Sequence, residues 1–140
     1  MSSLATRELR IDDYEKIVAL WRTVEGVEVA EGDSKDEIRT YLSRNPGLSR
    51  VAELNGVIVG AALCGHDGRR GLIYHLAVAP KHHGQGVGKR IVQECLTGLR
   101  TAGITRALIF VAQDNPSGHS FWLRTGWEDV DGALLMGIDL

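Results

Sequence analysis

Three glycines at alternating positions, Gly84, Gly86 and Gly88, stand between an apolar run ending Leu76-Ala77-Val78-Ala79-Pro80 and a stretch of helical periodicity that starts near Gln85. Glycine accepts backbone conformations closed to other residues, so the amide N–H groups from His83 to Lys89 can converge where a helix begins. A helix N-terminus carries partial positive charge and free N–H donors, and the chemistry this implies is phosphate binding. Spacing removes two familiar phosphate loops. A Walker loop needs four residues before its Gly-Lys pair and then Ser or Thr, whereas only Gln85, Gly86 and Val87 separate Gly84 from Gly88, and Arg90 follows Lys89. A dinucleotide fingerprint needs its third glycine where Lys89 stands.

The elements that must position this corner are legible around it. Asn55-Gly56 between the apolar runs Arg50–Leu54 and Val57–Cys64 predicts a tight hairpin, and a looser turn through His66–Gly71 leads into a third strand, Leu72 to Ala79. The helix from about Gln85 to Ala102 places Ile91, Cys95 and Leu99 on one stripe and stops at Gly103. Ile104 to Ala112 then reads as a buried strand, parallel to the strand ending at Ala79 because a helix connects them.

Upstream, Thr6 to Arg10 reads as a first strand, followed by a helix with Ile17, Leu20, Trp21 and Val24 at helical spacing. An acidic loop over residues 27–33 precedes a capping box, Ser34 to Glu37, that opens a second helix. Downstream, Asn115-Pro116 is an N-cap followed by proline at the first helical position, and this last helix ends at Gly126. Residues 127–130 and 133–138 flank Asp131-Gly132 and predict a closing hairpin.

Composition bounds the function. At 140 residues, 44% hydrophobic and 24% charged, the chain makes one domain over residues 1–140 that needs no metal or disulfide staple. A net charge of −2 gives no basic face for nucleic acid, and the longest apolar run, Val57–Cys64, is far short of a membrane span. Met1-Ser2-Ser3-Leu4 lacks the regions of a secretory signal, so a cytoplasmic location is expected. Cys64 and Cys95 sit in apolar contexts and read as buried free thiols.

The glycine corner in its setting, Leu76-Ala77-Val78 to Gly88, followed by Asn115-Pro116-Ser117-Gly118-His119-Ser120-Phe121-Trp122 and Gly126-Trp127, resembles the GNAT superfamily of N-acetyltransferases. The resemblance is close over residues 49–130 and extends plausibly over the whole length. It implies a mixed α/β (α+β) fold, with a central sheet of about seven strands flanked by about four helices in the order β-α-α-β-β-β-α-β-α-β-β. It implies acetyl-CoA as co-substrate, an amine as acceptor, no metal, and a homodimer by analogy alone. Strands 72–79 and 104–111 would splay, and Leu76, Ala77 and Val78 would offer backbone groups to the pantetheine as an added strand does. The pyrophosphate would rest on His83, Gly84, Gln85, Gly86, Val87, Gly88 and Lys89, and Asn115 would hydrogen-bond the pantetheine. A backbone N–H near Leu76 would stabilise the oxyanion.

Two departures from the family pattern bear on catalysis. The corner opens with His83 where Arg or Gln is usual, which removes a permanent charge but leaves the backbone donors; Lys81, Lys89 and Arg90 offer compensation. Trp122 stands where a tyrosine near the CoA sulphur often serves as general acid, so the resemblance implies that Trp122 borders the coenzyme; its indole N–H can donate a hydrogen bond but cannot deliver a proton. An amine near pKa ~10 must lose a proton to attack, yet Leu72 to Ala79 contains no Asp or Glu. Tyr74 and His75 are the polar residues there, and alternation places them on opposite faces. His75 is the candidate base or water-relay member, or else a packed sheet histidine. Glu25, Glu28, Glu31 and Asp33 are further candidates, either as a solvated loop or as a site for a cationic amine. A non-catalytic acyl-CoA-binding module acting through a protein partner is the competing expectation.

Overall fold

The protein is described by a computed structural model covering residues 3–140; Met1 and Ser2, part of the segment read above for an export signal, lie outside the described residues. Strand β1 (Leu4–Glu8) leads through a short 3-10 turn into helix α1 (Tyr14–Arg22), then α2 (Lys35–Arg44). Strands β2 (Arg50–Leu54), β3 (Val57–His66) and β4 (Gly71–Val78) follow as an antiparallel meander. Helix α3 (Val87–Thr101), strand β5 (Ala107–Ile109) and helix α4 (Pro116–Arg124) complete the chain's regular elements. Spatial order equals chain order, β1-β2-β3-β4-β5, with only β4 and β5 parallel.

Local chemistry explains the element ends that matter. Ser34 Oγ accepts from the Glu37 N–H at 3.2 Å and Glu37 Oε1 accepts from the Ser34 N–H at 3.3 Å, so the reciprocal cap starts α2 as its sequence predicts. Asn55 and Gly56 both take positive φ, 52° and 77°, which is what a two-residue turn between twisted strands needs.

Two cores form on the two faces of the sheet. On one, α1 and α2 bury Ile17, Trp21 and Ile38 against Val51, Ala61, Leu63 and Ala77. On the other, α3 lays Ile91, Val92, Cys95 and Leu99 on Ala52, Ala62, Cys64 and Ile73. Full burial of each Ile or Leu on that stripe stabilises by roughly 1.5–3 kcal/mol relative to exposure. The sheet is thereby clamped between helices on both faces.

The sheet has five strands among the described residues rather than about seven. Residues 127–140 form no ladder, and Leu134, Leu135, Met136 and Ile138 are exposed. Apolar alternation favours a strand only when a neighbouring edge supplies the ladder. β5 is in register with β4 over three residues only, and it offers the following segment little edge to pair with.

Candidate active site

The β4–β5 pairing runs through Gly71↔Ala107, Leu72↔Leu108 and Ile73↔Ile109, and there it stops. β4 continues to Val78 while β5 ends at Ile109, so a wedge opens between them. The Ala79 N–H donates to the Val59 oxygen of β3 at 2.8 Å, and Ala77 lies opposite Ala61. Alternation therefore turns the N–H and C=O of Val78, and the C=O of Leu76, away from β3, towards the side of the wedge.

At the mouth of the wedge stands the glycine corner. Gly84 and Gly86 have φ of 76° and 82°, and Gly86 is the N-cap of α3 with no side chain capping its first turn. Those first-turn N–H groups are the unsatisfied donors of a 15-residue helix, at its positive end. Gly88 lets α4 approach: an added Cβ would meet Phe121 Cζ at 3.4 Å and Val78 Cγ2 at the same distance. Val87 is buried in the core and anchors the helix start, whereas Gln85 and Lys89 are exposed. His83 is exposed too, and its Nε2 lies 2.7 Å from the Val78 carbonyl oxygen. Arg90 is committed elsewhere, to Glu94 and the Leu4 carbonyl, and Lys81 and Lys89 are exposed cations at this corner.

His75 departs from the geometry that alternation predicts. The β3–β4 register shifts between Ala61 and Leu63, placing one extra residue on β4, and His75 takes φ 52°, rare for a residue with a side chain. The bulge brings His75 to the face that Tyr74 already occupies. Tyr74 packs with Tyr41 of α2 and Phe110 after β5, while the His75 ring lies 4.7 Å from the Trp21 ring of α1. Partial burial pushes the Tyr74 phenol up, so it keeps its proton at neutral pH. His75 Nε2 is 2.8 Å from Asp33 Oδ2, in the loop between α1 and α2.

Of the four loop acids, Glu25, Glu28 and Glu31 are exposed and only Asp33 is buried. Its Oδ2 also accepts the Ala30 N–H at 3.0 Å, and its carbonyl oxygen accepts the Tyr14 hydroxyl at 2.6 Å. The same loop reaches α4. A Cβ on Gly26 would come within 2.3 Å of Asn115 Nδ2, so the loop and the start of α4 touch. Asn115 Oδ1 accepts the Gly118 N–H at 3.1 Å and caps α4, as its sequence position predicts.

Trp122 lies elsewhere. It packs edge-to-face with Phe121 and Trp127, at ring separations of 5.1 and 5.0 Å, on the α3 side of the sheet. It also lines an open cleft of about 1240 Å³ outside β5, bounded by the unpaired C-terminal segment and including no residue of β4 or of 83–89. Asn115 also lines that cleft, which runs along β5 and the start of α4. Cys64 and Cys95 are buried beside each other, and contact with Cys64 together with burial pushes the Cys95 thiol up, far from a nucleophile's range.

The wedge, the corner and the α4 cap lie within residues 6–127, which match the Acetyltransferase (GNAT) family. The chain belongs to the GNAT acetyltransferase family. An acetyltransferase of Sodalis glossinidius is 30% identical over 131 residues, 94% of this chain and 92% of the relative. One from Pectobacterium atrosepticum is 31% identical over 129 residues, covering 92% and 91%. Among solved structures, the PaiA N-acetyltransferase of Thermoplasma acidophilum in complex with coenzyme A superposes with a TM-score of 0.77 at 22% identity, covering 93% of this chain and 94% of that one. The aminoglycoside N-acetyltransferase AAC(6')-Iy, bound to a bisubstrate analogue, gives 0.78 at 15% identity over 99% and 100%.

In this GNAT domain Leu76, Val78 and residues 83–89 follow one another from the end of β4 into the start of α3, whereas Asn115 caps α4 beside Gly26. The structure separates His75 from Trp122, which stand on opposite sides of the sheet. Asp33 was one of four acids in the sequence reading, with nothing to single it out. The signal available was its place directly before the Ser34 cap: the residue that enters a helix is held against the body of the fold, unlike the tip of the loop. Among the described residues no helix is long and apolar enough to cross a membrane.

Proposed function

We propose that this GNAT domain transfers an acetyl group from acetyl-CoA to an amine by direct attack, with His75 as the proton acceptor. The observation that carries the reading is the wedge: β4 extends beyond its last pairing with β5, leaving backbone groups of Leu76 and Val78 outside the sheet ladder beside a bare helix N-terminus. Those groups suit the amides of pantetheine, and the corner amides suit a pyrophosphate. In this reading Asn115, which touches the Gly26 loop, forms the opposite wall.

The acceptor nitrogen attacks the thioester carbonyl carbon, and the Val78 N–H, turned towards the wedge, stabilises the oxygen as it gains charge. The proton shed by the amine passes to His75, and the C–S bond breaks with its electrons on sulphur. A thiol has a pKa of roughly 8.5, so a leaving thiolate needs no tryptophan to protonate it. Exposed Glu25, Glu28 and Glu31 around the loop favour a cationic acceptor.

Acetyl-CoA should raise the melting temperature and ATP at equal concentration should not; free thiol should then appear with an amine panel. No shift with millimolar acetyl-CoA would contradict the reading. Binding without acceleration by any amine would favour an acyl-CoA-binding module, a reading that the packing of Trp122 into an aromatic trio supports.

A further inference from the structure

We propose that Asp33 is the positioning residue of this site, holding the His75 ring with Nε2 protonated so that Nδ1 is the atom that takes the amine proton. The inference rests on the acetyl-transfer reading above and assigns a part to a loop residue that lies outside β4 and the glycine corner.

The Asp33 side chain is only 10% exposed, and its one ion-pair partner among the described residues is His75. An ionised carboxylate can only accept, so the 2.8 Å contact fixes the ring's Nε2 as the donor. A neutral imidazole with Nε2–H has its lone pair on Nδ1. The ring is held against rotation by Trp21, whose plane is tilted 55° to it at 4.7 Å. Its backbone is held in the left-handed region, where a non-glycine residue persists only when its surroundings impose it.

The carboxylate is itself fixed. Oδ2 takes the Ala30 N–H, and the Tyr14 hydroxyl ties the Asp33 carbonyl to α1. A histidine that merely packed in a sheet would call for neither a buried acid nor a bulge. When Nδ1 accepts the proton, the ring becomes an imidazolium beside a carboxylate already in place, which stabilises the charge without reorganisation. The amine supplies the proton, its nitrogen keeps the new C–N bond, and the thiolate leaves with the C–S pair.

The test combines turnover with ring spectroscopy. Asp33→Asn should lower kcat by about 100-fold or more, by analogy with the loss of an orienting carboxylate in a triad, while KM for acetyl-CoA is unchanged. His75→Gln and the double variant Asp33→Asn/His75→Gln should have the same kcat, because Asp33 acts through the ring. In histidine ¹⁵N spectra of the wild type, the neutral His75 ring should show an exchange-protected Nε2–H and an unprotonated Nδ1, a readout that needs neither turnover nor a variant.

Losses that multiply in the double variant, or a proton on Nδ1 of the neutral ring, would each overturn the proposal. Wild-type protein that binds acetyl-CoA but releases no thiol with any amine would instead sink the acetyl-transfer reading, and this inference with it.

Discussion

His83 Nε2 lies 2.7 Å from the Val78 carbonyl oxygen, so the first residue of the glycine corner reaches back to the last residue of β4. The strand that lines the wedge and the loop that follows it are thus joined by a side chain. The ring occupies one acceptor site on Val78, and a carbonyl oxygen has two lone pairs.

His83→Ala should therefore weaken acetyl-CoA binding by less than tenfold, about 1.4 kcal/mol, because the corner's backbone donors remain. Gly86→Ala should weaken it more. Alanine at φ 82° costs roughly 1–2 kcal/mol and turns the N–H groups of the corner aside. Calorimetric titration of both variants gives the order.

His75→Gln should lower turnover by about 100-fold or more, the typical contribution of a general base, with acetyl-CoA affinity unchanged. Initial rates of thiol release, with affinity measured separately, check it. Turnover equal to wild type would remove His75 from the mechanism.

Gly26→Ala should destabilise the domain and disturb the α4 cap together. The new Cβ would sit 2.3 Å from Asn115 Nδ2 on a backbone at φ 84°, so either the loop or Asn115 must move. Overpacking of this kind costs typically 1–3 kcal/mol, visible as a lowered Tm. Amide exchange at Gly118, whose N–H the Asn115 side chain accepts, should quicken in the same variant.

Asp13 gives a pH dependence of known sign. Arg7 Nη1 and Nη2 lie 2.8 and 2.9 Å from its two oxygens, and these hydrogen bonds hold the carboxyl below its ordinary value against the opposing effect of burial. A folded pKa below the unfolded one, near 4, means that the stabilisation is fully present above that value and is lost as pH falls through the folded pKa. Asp13→Asn should cost about 1.5–3 kcal/mol at pH 7, and the Tm gap to wild type should close in acid.

What was legible in the chain was local. The Ser34–Glu37 cap, the Asn55-Gly56 turn and the Asn115 cap are each set by neighbours a few residues away, and each stands where its chemistry places it. The parallel sense of β5 followed from a helical crossover, and the corner from its glycines. The bulge at His75 was not legible, since strict period-2 alternation separates Tyr74 from His75 and nothing in the residues signals an extra one. Nor, beyond its place before the Ser34 cap, was the burial of Asp33, which depends on the loop between α1 and α2 meeting β4 across 42 positions of sequence. The closing hairpin failed for a complementary reason: its pattern was present, but the β5 edge it needed ends after three residues.

Amide hydrogen exchange tests the central claim most directly. Addition of acetyl-CoA should slow exchange at Val78 and the amides from Gly84 to Lys89, while ATP at the same concentration should not protect Val78. Unchanged exchange at Val78 in millimolar acetyl-CoA would contradict the assignment of the β4–β5 wedge as the acetyl-CoA site.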